Sequence, residues 1–308
     1  MTEFELIQTY FQRGAHGPSV VVGNGDDAAV VSPTPGHQTV ISVDSVVAGR
    51  HVPTLCPPEG FASRLLGRGL SDLAAMAATP RYVLLSLTLP SFDAGWVDQF
   101  AEKFHHLAVQ WGVDLIGGDT TRGPLSGQVT VIGEVPEGQA VTRKGARPGD
   151  RLWLLGQDLG GARAYLEVLS GSVAEHVIWA ERYWRPEPLL DLGQALRGQT
   201  HAMIDVSDGL CQDVGHLLQG AAQPLHVEID LDSLPLADGL IARFGRERAL
   251  EMALTGGDDY VLLAAAPPDR SFDAGHCIGR FEASETPRIS LDGQPVPADW
   301  SLGWDHSR

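Results

Sequence analysis

Hydrophobic positions along the chain follow two different periods, and each period predicts one kind of element. Short apolar stretches bounded by glycine and proline predict strands at 19–22, 28–31, 38–43, 82–90, 113–117 and 128–135. Helical spacing predicts a helix over 58–78 and another over 96–111, whose apolar stripe consists of Trp96, Phe100, Phe104, Leu107 and Trp111. Such a stripe is typical of a helix that packs against a core.

The first helix has its own start and stop signals. Thr2, followed by Glu5 three residues later, makes a capping-box pattern, and Phe4, Ile7 and Phe11 come next at helical spacing. Gly14 is predicted to end this helix, because glycine readily adopts the left-handed conformation found at many helix ends.

A polar segment without periodicity, residues 136–150, divides the chain. Beyond it, strands are predicted near 151–155, 202–206, 226–230 and 260–266, with helices up to about 197 and from 208. Strands and helices alternate on both sides of this segment. The pattern therefore predicts a mixed α/β (α+β) fold in two domains, 1–137 and 138–308.

The charge of the chain restricts its partners. The 308 residues include 22 Lys and Arg against 39 Asp and Glu, which gives a formal net charge of −17. This balance argues against nucleic acid and against an anionic membrane as partners. Because phosphates would be repelled as well, a phosphate-binding protein of this charge needs cations to mediate.

Other features of the sequence predict a soluble, cytoplasmic protein. The three cysteines are far apart and outside any CxxC pattern, which favours reduced thiols. No apolar run approaches the ~20 residues of a membrane span, and the start lacks a basic region followed by an apolar one.

Candidate chemistry lies in six short segments that place aspartates among small residues, most of them where a predicted strand ends. They are GNGDDAA (23–29), SVDS (42–45), SDLAA (71–75), GGDTT (117–121), DVSDGL (205–210) and GGDDY (256–260). Turn and cap chemistry explains any one of them, since Asp and Gly favour both. Six together indicate carboxylates gathered around hard cations, because Mg²⁺ takes carboxylate oxygens together with phosphates and water.

Other phosphate-binding and hydrolytic motifs are missing from the sequence. It contains no GxxxxGK[ST], no HRD and DFG pair, no HExxH and no GxSxG. GNGDDA matches the dinucleotide fingerprint, but Asp26 and Asp27 would face the pyrophosphate, and Pro33 and Pro35 oppose the long helix that the fingerprint requires. What remains is phosphoryl transfer by positioning and charge neutralisation.

Taken in order, the aspartate segments resemble those of thiamine-monophosphate kinases over nearly the whole chain. The matching stretches are GDDAAV, SVDSVVAGRHV, LSDLAAM, IGGDTTRGP, VTRKGARPGD, DVSDGL, TGGDDY and a tryptophan-bearing end. The resemblance implies ATP-dependent phosphorylation of thiamine monophosphate to the diphosphate, by direct transfer assisted by several Mg²⁺ ions. It also implies a homodimer that pairs through the N-terminal domain, which binds ATP and metal, and a C-terminal α/β domain.

The resemblance also implies a role for each matching residue. The implied magnesium ligands are Asp27, Ser42, the carbonyl of Val43, Asp44, Asp72, Asp119, Asp205 and Asp208. The implied ATP-binding residues are Gly118, Asp119, Arg143 and Ser207, and the implied substrate-binding residues are His51, Asp258, Trp300 and Trp304. No catalytic residue is implied apart from the metal ligands.

The residues by themselves leave plainer roles open for three of these positions. Arg143 could be a surface residue of the polar segment, His51 a solvated histidine, and Ser207 the cap of a helix beginning at Asp208. The N-terminus of that helix would itself suit an anion. The chain also departs from the family at Asp258, where the family usually has Glu, and in having both Trp300 and Trp304 near its end.

Two rival functions remain open from sequence. One is another ATP-using enzyme of the superfamily that contains aminoimidazole ribonucleotide synthetase, such as an amide-activating synthetase. The other is a divalent-cation-binding protein without catalysis, for which acidity alone would suffice.

Overall fold

The computed structural model describes residues 2–12, 16–169 and 173–303, and the chain divides into two compact units. The first unit comprises residues up to 73 together with 78–138, and the second comprises 74–77 together with the residues from 139 onward. The chain thus has the mixed α/β class in two units that the alternation of elements predicts. A single cut in the sequence cannot describe the division, because 74–77 belong to the second unit.

The first unit is built around a four-stranded sheet. Its elements are α1 (Glu3–Leu6), a π-helical turn (Ile7–Phe11), β1 (Val20–Val22), β2 (Val30–Val31), β3 (His37–Val47), most of α2 (Pro58–Ala75), β4 (Thr79–Leu89), α3 (Ala94–Gln110), β5 (Asp114–Arg122) and β6 (Ser126–Pro136). The sheet order is β3-β6-β4-β5, with β4 and β5 parallel and the other pairs antiparallel. Strands β1 and β2 form a separate antiparallel pair.

Helix α3 confirms the predicted apolar stripe. Phe100, Phe104 and Leu107 are buried, and the ring of Trp96 stacks on Phe100 with centroids 5.4 Å apart. The helix starts where Asp93 accepts a hydrogen bond from the backbone N–H of Trp96 at 2.9 Å. Side-chain capping and a continuous apolar face therefore both define this helix.

The capping box at the start of the chain is also confirmed. Thr2 N–H donates to Glu5 Oε2 at 2.8 Å, and Glu5 N–H donates to Thr2 Oγ1 at 3.3 Å. The α-helix that follows has only four residues before the π-helical turn begins. Gly14, the predicted end, lies outside the described residues.

The second unit contains a seven-stranded sheet. Its elements are β7 (Arg151–Leu155), α4 (Gly161–Val168), α5 (Val173–Trp184), α6 (Leu190–Ala195), β8 (Ala202–Asp205), α7 (Leu210–Gln219), β9 (Leu225–Ile229), α8 (Leu240–Phe244), α9 (Arg246–Thr255), β10 (Leu262–Ala266), β11 (Gly275–Ala283), β12 (Arg288–Leu291) and β13 (Gln294–Pro295). The sheet order is β13-β12-β9-β11-β7-β10-β8. Only β9 and β12 are parallel neighbours.

Two apolar clusters stabilise the second unit. The larger joins the sheet to α7, with Ile204, Leu217 and Phe281 among its buried members. The smaller is aromatic and includes Tyr165, stacked on Tyr183 with ring centroids 5.0 Å apart. Together they hold rigid the strand ends and helix starts from which the acidic segments project.

Within the described part of the chain, no helix combines the length and apolarity needed to cross a membrane. All three cysteines are free, but only Cys211 is buried, while Cys56 and Cys277 are partly exposed. Burial raises the pKa of the Cys211 thiol to about 12 and that of Cys56 to about 11, so both are protonated at neutral pH.

Candidate functional site

One group of predicted residues lies where β3 faces α2. Ser42 and Asp44 are two apart on the strand and so share a face, while Arg68 and Asp72 are four apart on the helix and so share a stripe. The Ser42 hydroxyl donates to Asp72, and Arg68 Nε donates to Asp44 Oδ2 at 3.0 Å. From residue 60 to 75 of α2, Arg68 and Asp72 are the only residues that are not buried.

The ion pair between Asp44 and Arg68 affects how Asp44 could bind a metal. Its second oxygen accepts the backbone N–H of Ser45 at 2.7 Å and lies 3.4 Å from Arg68 Nη2. Val43 points to the opposite face of the strand and is 54% exposed. In this structure Asp44 is therefore neutralised by an arginine, and its assignment as a magnesium ligand stays a prediction.

The GGDTT segment lies within β5, although the pattern predicted that it follows the strand. Pairing with β4 shifts at Ile116, and it resumes through Gly118 and Asp119 as far as Arg122. Gly118 has φ of +152°, and a Cβ there would lie 1.8 Å from the carbonyl oxygen of Leu85. Only glycine fits this close approach of two backbones, which leaves Asp119 exposed beside it.

A cavity of about 550 Å³ in the first unit brings two of the aspartate segments together. Asp26 and Asp27 line it from one side, and Gly118 and Asp119 line it from the strand, next to an apolar wall that includes Phe11, Leu84 and Ile116. Ligand cavities commonly combine apolar walls with a few polar groups. Its volume falls within the range that is usual for small-molecule pockets.

His51 is half-buried just after β3. Its Nδ1 accepts a hydrogen bond from the backbone N–H of Val47 at 3.0 Å. When the ring is neutral, its proton is therefore on Nε2.

In the second unit, backbone hydrogen bonds join the DVSDGL and GGDDY segments. Asp258 N–H donates to the Ser207 carbonyl at 2.9 Å, and Tyr260 N–H donates to the Val206 carbonyl at 2.8 Å. Asp205 is 6% exposed at the end of β8. Two segments that are 50 residues apart in sequence thus form one local structure, from Asp205 at one end to Asp258 at the other.

Helix α7 does not start as the sequence predicts. It begins at Leu210, after an N-cap Gly209 that makes no side-chain cap hydrogen bond, so Ser207 is not its cap. A single oxygen, Oδ2 of Asp213, accepts the backbone N–H groups of Ser207, Asp208 and Gly209 at 3.1, 3.2 and 3.1 Å. These N–H groups therefore cannot bind a phosphate while Asp213 occupies them.

Asp213 was missed in the sequence because it lies inside the helix and looks like one more surface acid. It is 2% exposed, and its pKa is raised to about 8, mainly by burial and secondly by the charges of Asp205 and Asp208. Ligand atoms of Asp208, Asp213 and His216 lie within 4.8 Å of one another. Asp205 and Asp208 thus place negative charge beside Asp213 at the start of α7, and this charge favours the protonated form of Asp213.

Asp258 and Asp259 have different environments although they are adjacent. Asp258 has φ of +61°, and its Oδ1 accepts the Tyr260 hydroxyl at 2.7 Å. Asp259 Oδ1 accepts the Gly160 N–H at 2.9 Å, while its buried Oδ2 has no hydrogen-bond partner within the described residues. Burial raises the pKa of Asp259 well above its usual value, and the charges of Asp258 and Asp158 act in the same direction.

Of the remaining predicted residues, Arg143 and Trp300 lie in the second unit. Arg143 is exposed, and its guanidinium has no ion-pair or hydrogen-bond partner among the residues that the structure describes. Trp300 is half-buried against the larger apolar cluster. The chain then reaches Gly303, where an added Cβ would lie 2.7 Å from the Asp208 carbonyl oxygen. Trp304 lies outside the described residues.

The structure therefore groups the predicted residues within each unit. In the first, Ser42, Asp44 and Asp72 lie at the β3–α2 face, and Asp27, Gly118 and Asp119 line the cavity. In the second, hydrogen bonds connect the two segments that carry Asp205, Ser207, Asp208 and Asp258.

Comparison with known proteins gives consistent matches. Residues 25–135 match the family model described as AIR synthase related protein, N-terminal domain. The thiamine-monophosphate kinase of Escherichia coli K12 is 40% identical, over 99% of this chain and 98% of its own length. The crystal structure of thiamine-monophosphate kinase from Stenotrophomonas maltophilia has a TM-score of 0.83 at 36% identity, covering 91% of this chain and 93% of its own.

A third match is a ligand complex. The structure of AaThiL complexed with AMPPCP and TMP has a TM-score of 0.80 at 29% identity, covering 91% of each chain. The 40% identity to the Escherichia coli enzyme, over essentially the full length of both proteins, is sufficient to assign a family. The chain belongs to the thiamine-monophosphate kinase family.

Proposed function

We propose that this protein transfers the terminal phosphoryl group of ATP directly to the phosphate of thiamine monophosphate, with Mg²⁺ as the metal. Full-length similarity to thiamine-monophosphate kinases is the observation that carries the proposal. The relative AaThiL holds AMPPCP and TMP together, which matches a nucleotide triphosphate and a phosphorylated acceptor. The rival amide-activating and non-catalytic functions have no comparable support.

The donor groups of this chain suit magnesium. All the assigned ligand atoms are oxygens, most of them from carboxylates, and hard cations prefer such oxygens. The assigned ligands are Asp27, Ser42, the Val43 carbonyl, Asp44, Asp72, Asp119, Asp205 and Asp208. Burial is the main cause of the raised pKa of Asp213, and the negative charges of Asp205 and Asp208 act in the same direction. When bound, Mg²⁺ would supply the positive charge that lets phosphate oxygens approach these carboxylates.

The assigned ATP-binding residues are Gly118, Asp119, Arg143 and Ser207. The cavity lined by Gly118 and Asp119 would receive part of the nucleotide, with its apolar wall against the base. Arg143 has a guanidinium with no partner among the described residues, so it can bind phosphate oxygens in a bidentate manner. Ser207 would contribute its hydroxyl, because its backbone N–H is already bound to Asp213.

Thiamine monophosphate would be recognised by His51, Asp258 and an aromatic ring near the chain end. His51 would contact the substrate phosphate through its imidazole ring, whose orientation is fixed by the hydrogen bond from Val47 N–H to Nδ1. Asp258 offers a carboxylate to the aminopyrimidine or to the thiazolium charge. Trp300 already packs on the core, which favours Trp304 as the stacking residue.

We also propose a cytoplasmic homodimer that pairs through β3. This strand is at one edge of the four-stranded sheet. Its outward side chains Ile41 and Val43 are 62% and 54% exposed. An exposed, apolar edge strand is a template for pairing with another strand, and a second copy of β3 fits it.

The substrate assignment is tested by measuring ADP release with thiamine, thiamine monophosphate and aminoimidazole ribonucleotide precursors as acceptors. We expect release with thiamine monophosphate alone. Release with an aminoimidazole precursor instead would support the synthetase alternative, and divalent binding without any release would support a non-catalytic role.

A further inference from the structure

We propose that Asp213 is a positioning residue that sets the conformation of the loop Ser207–Gly209 and thereby the metal and nucleotide affinity of Ser207 and Asp208. This inference rests on the proposed function of those two residues. Asp213 does not need to contact ATP or metal for this role. It acts through three consecutive backbone N–H groups.

The geometry that supports this role is unusual for a helix start. Most N-caps use a side chain that precedes the helix and accepts one helical N–H. Here the side chain comes from within α7 and reaches back to Ser207, Asp208 and Gly209, with all three bonds between 3.1 and 3.2 Å and ending on one oxygen. Three successive peptide orientations are thereby fixed by one carboxylate.

Packing leaves this loop little freedom to adopt another conformation while Asp213 holds it. Gly209 has φ of +130°, and a Cβ there would lie 3.0 Å from the backbone of Thr255. On the other side, the Ser207 carbonyl accepts the N–H of Asp258. The loop is therefore confined by α9 and the GGDDY segment, and its N–H groups are directed towards Asp213.

Loss of the carboxylate would release the loop at the point where its side chains matter. Three N–H groups, that of Gly209 buried and those of Ser207 and Asp208 partly buried, would lose their acceptor, and each would then bind water or another partner. The Ser207 hydroxyl and the Asp208 carboxylate would move with the peptide groups that carry them. Sites that depend on preorganised groups lose affinity when the supporting residues are removed.

The test compares Asp213→Ala with Asp213→Asn, which keeps a side-chain oxygen as acceptor, and with Asp150→Ala as a matched control. Asp150 is also 2% exposed in the second unit and also accepts a backbone N–H, that of Arg147. Amide hydrogen exchange of residues 206–210, binding of Mn²⁺ as a magnesium probe, and the Michaelis constants for ATP and thiamine monophosphate are measured for each variant.

For Asp213→Ala we expect exchange of the three amides to accelerate and Mn²⁺ and ATP affinities to fall by more than about tenfold. The Michaelis constant for thiamine monophosphate should change less. Asp213→Asn should stay within about threefold of wild type for metal and ATP. Asp150→Ala should lose thermal stability while keeping its metal affinity.

Two results would overturn the inference. One is faster exchange in Asp213→Ala with metal and ATP affinities unchanged, and the other is an equal loss of affinity in Asp150→Ala. If Asp213→Ala does not fold, Asp213→Glu replaces it, because the longer side chain moves the accepting oxygen away from the three N–H groups. Unchanged Mn²⁺ and ATP affinities in Asp213→Glu would also overturn the inference. Exchange and Mn²⁺ binding need no turnover, so failure of the proposed kinase activity would be seen separately in the wild-type protein.

Discussion

At the scale of single residues, the aspartates of this chain are not equivalent. Asp258 is in a left-handed conformation, which Asp and Asn tolerate better than Glu or Ala, and it holds the Tyr260 hydroxyl. This offers a local reason for Asp where the family usually has Glu. Sequence reasoning could locate the position and its departure from the family pattern, but neither φ nor the tyrosine partner can be read from GGDDY.

Asp258→Asn isolates the charge of this side chain, because Asn fits the same backbone and keeps an oxygen for Tyr260. We expect the Michaelis constant for thiamine monophosphate to rise by more than about fivefold while that for ATP stays the same, because a substrate cation or donor loses a charged partner. Steady-state kinetics with ATP saturating decide this. Tyr260→Phe is the control for the hydrogen bond alone, and an Asn variant with wild-type constants would remove Asp258 from the substrate site.

Asp259 should make the stability of the protein depend on pH. Burial raises its pKa well above the usual value, so the folded state binds this proton more tightly than the unfolded state. The contribution of Asp259 to the free energy of unfolding is fully present below the pKa that its carboxyl group has in the unfolded state. This contribution is lost as the pH rises through the pKa of the folded state. Asp259→Asn keeps an acceptor for Gly160 and has no charge to bury.

We therefore expect Asp259→Asn to gain about 1 kcal/mol relative to wild type at neutral pH, with the difference shrinking towards acid pH. Melting temperatures of both proteins across the acid-to-neutral range provide the measurement. A difference that grows as pH falls would contradict the sign of the pKa shift.

At the scale of elements, the sequence pattern predicted which strands are present better than it predicted where each strand ends. Strand β3 runs to Val47 and β5 to Arg122, so Asp44 and Asp119 lie inside strands that were predicted to end earlier. Polar and glycine-rich residues continue a strand when the neighbouring strand pairs with them, and such pairing is not visible in local pattern. Strands β11–β13 and helices α8 and α9 were not predicted, because their segments mix short apolar runs with Gly, Arg and Glu.

Gly118 provides the sharpest test of how β5 is built. A Cβ there would overlap the Leu85 carbonyl oxygen at 1.8 Å, so Gly118→Ala should destabilise the protein by at least about 2 kcal/mol and weaken ATP binding. Gly117→Ala is the matched control, because its Cβ would meet only the flexible end of Leu84 at 3.0 Å. Denaturant unfolding and binding of an ATP analogue measure both variants, and equal effects would refute the close-approach account.

At the scale of the whole molecule, the resemblance to a family carried most of the functional conclusion. Composition and net charge could only argue against nucleic acid and anionic membranes as partners, and indicate that phosphate binding needs cations. The grouping of residues within each unit, and the role of Asp213 in holding a loop, needed coordinates, because both depend on contacts between segments remote in sequence.

The proposed dimer makes a prediction about Ile41. Ile41→Lys places a charge on the edge strand β3. We expect this variant to be a monomer and the wild-type protein a dimer, because a buried unpaired charge opposes strand pairing. Val109→Lys is the control, since Val109 is 82% exposed on helix α3. Sedimentation equilibrium measures the masses, and a monomeric wild type or an equally dimeric Ile41→Lys would contradict pairing through β3.

The central claim is metal-dependent, direct phosphorylation of thiamine monophosphate, and one phosphorus NMR experiment tests it most directly. Purified protein with ATP, Mg²⁺ and thiamine monophosphate should form thiamine diphosphate and ADP in equal amounts. Excess chelator should stop both, because the sequence has no P-loop lysine and Arg143 alone cannot replace the positive charge of several Mg²⁺ ions. Consumption of ATP without thiamine diphosphate, or undiminished turnover in chelator, would contradict the account.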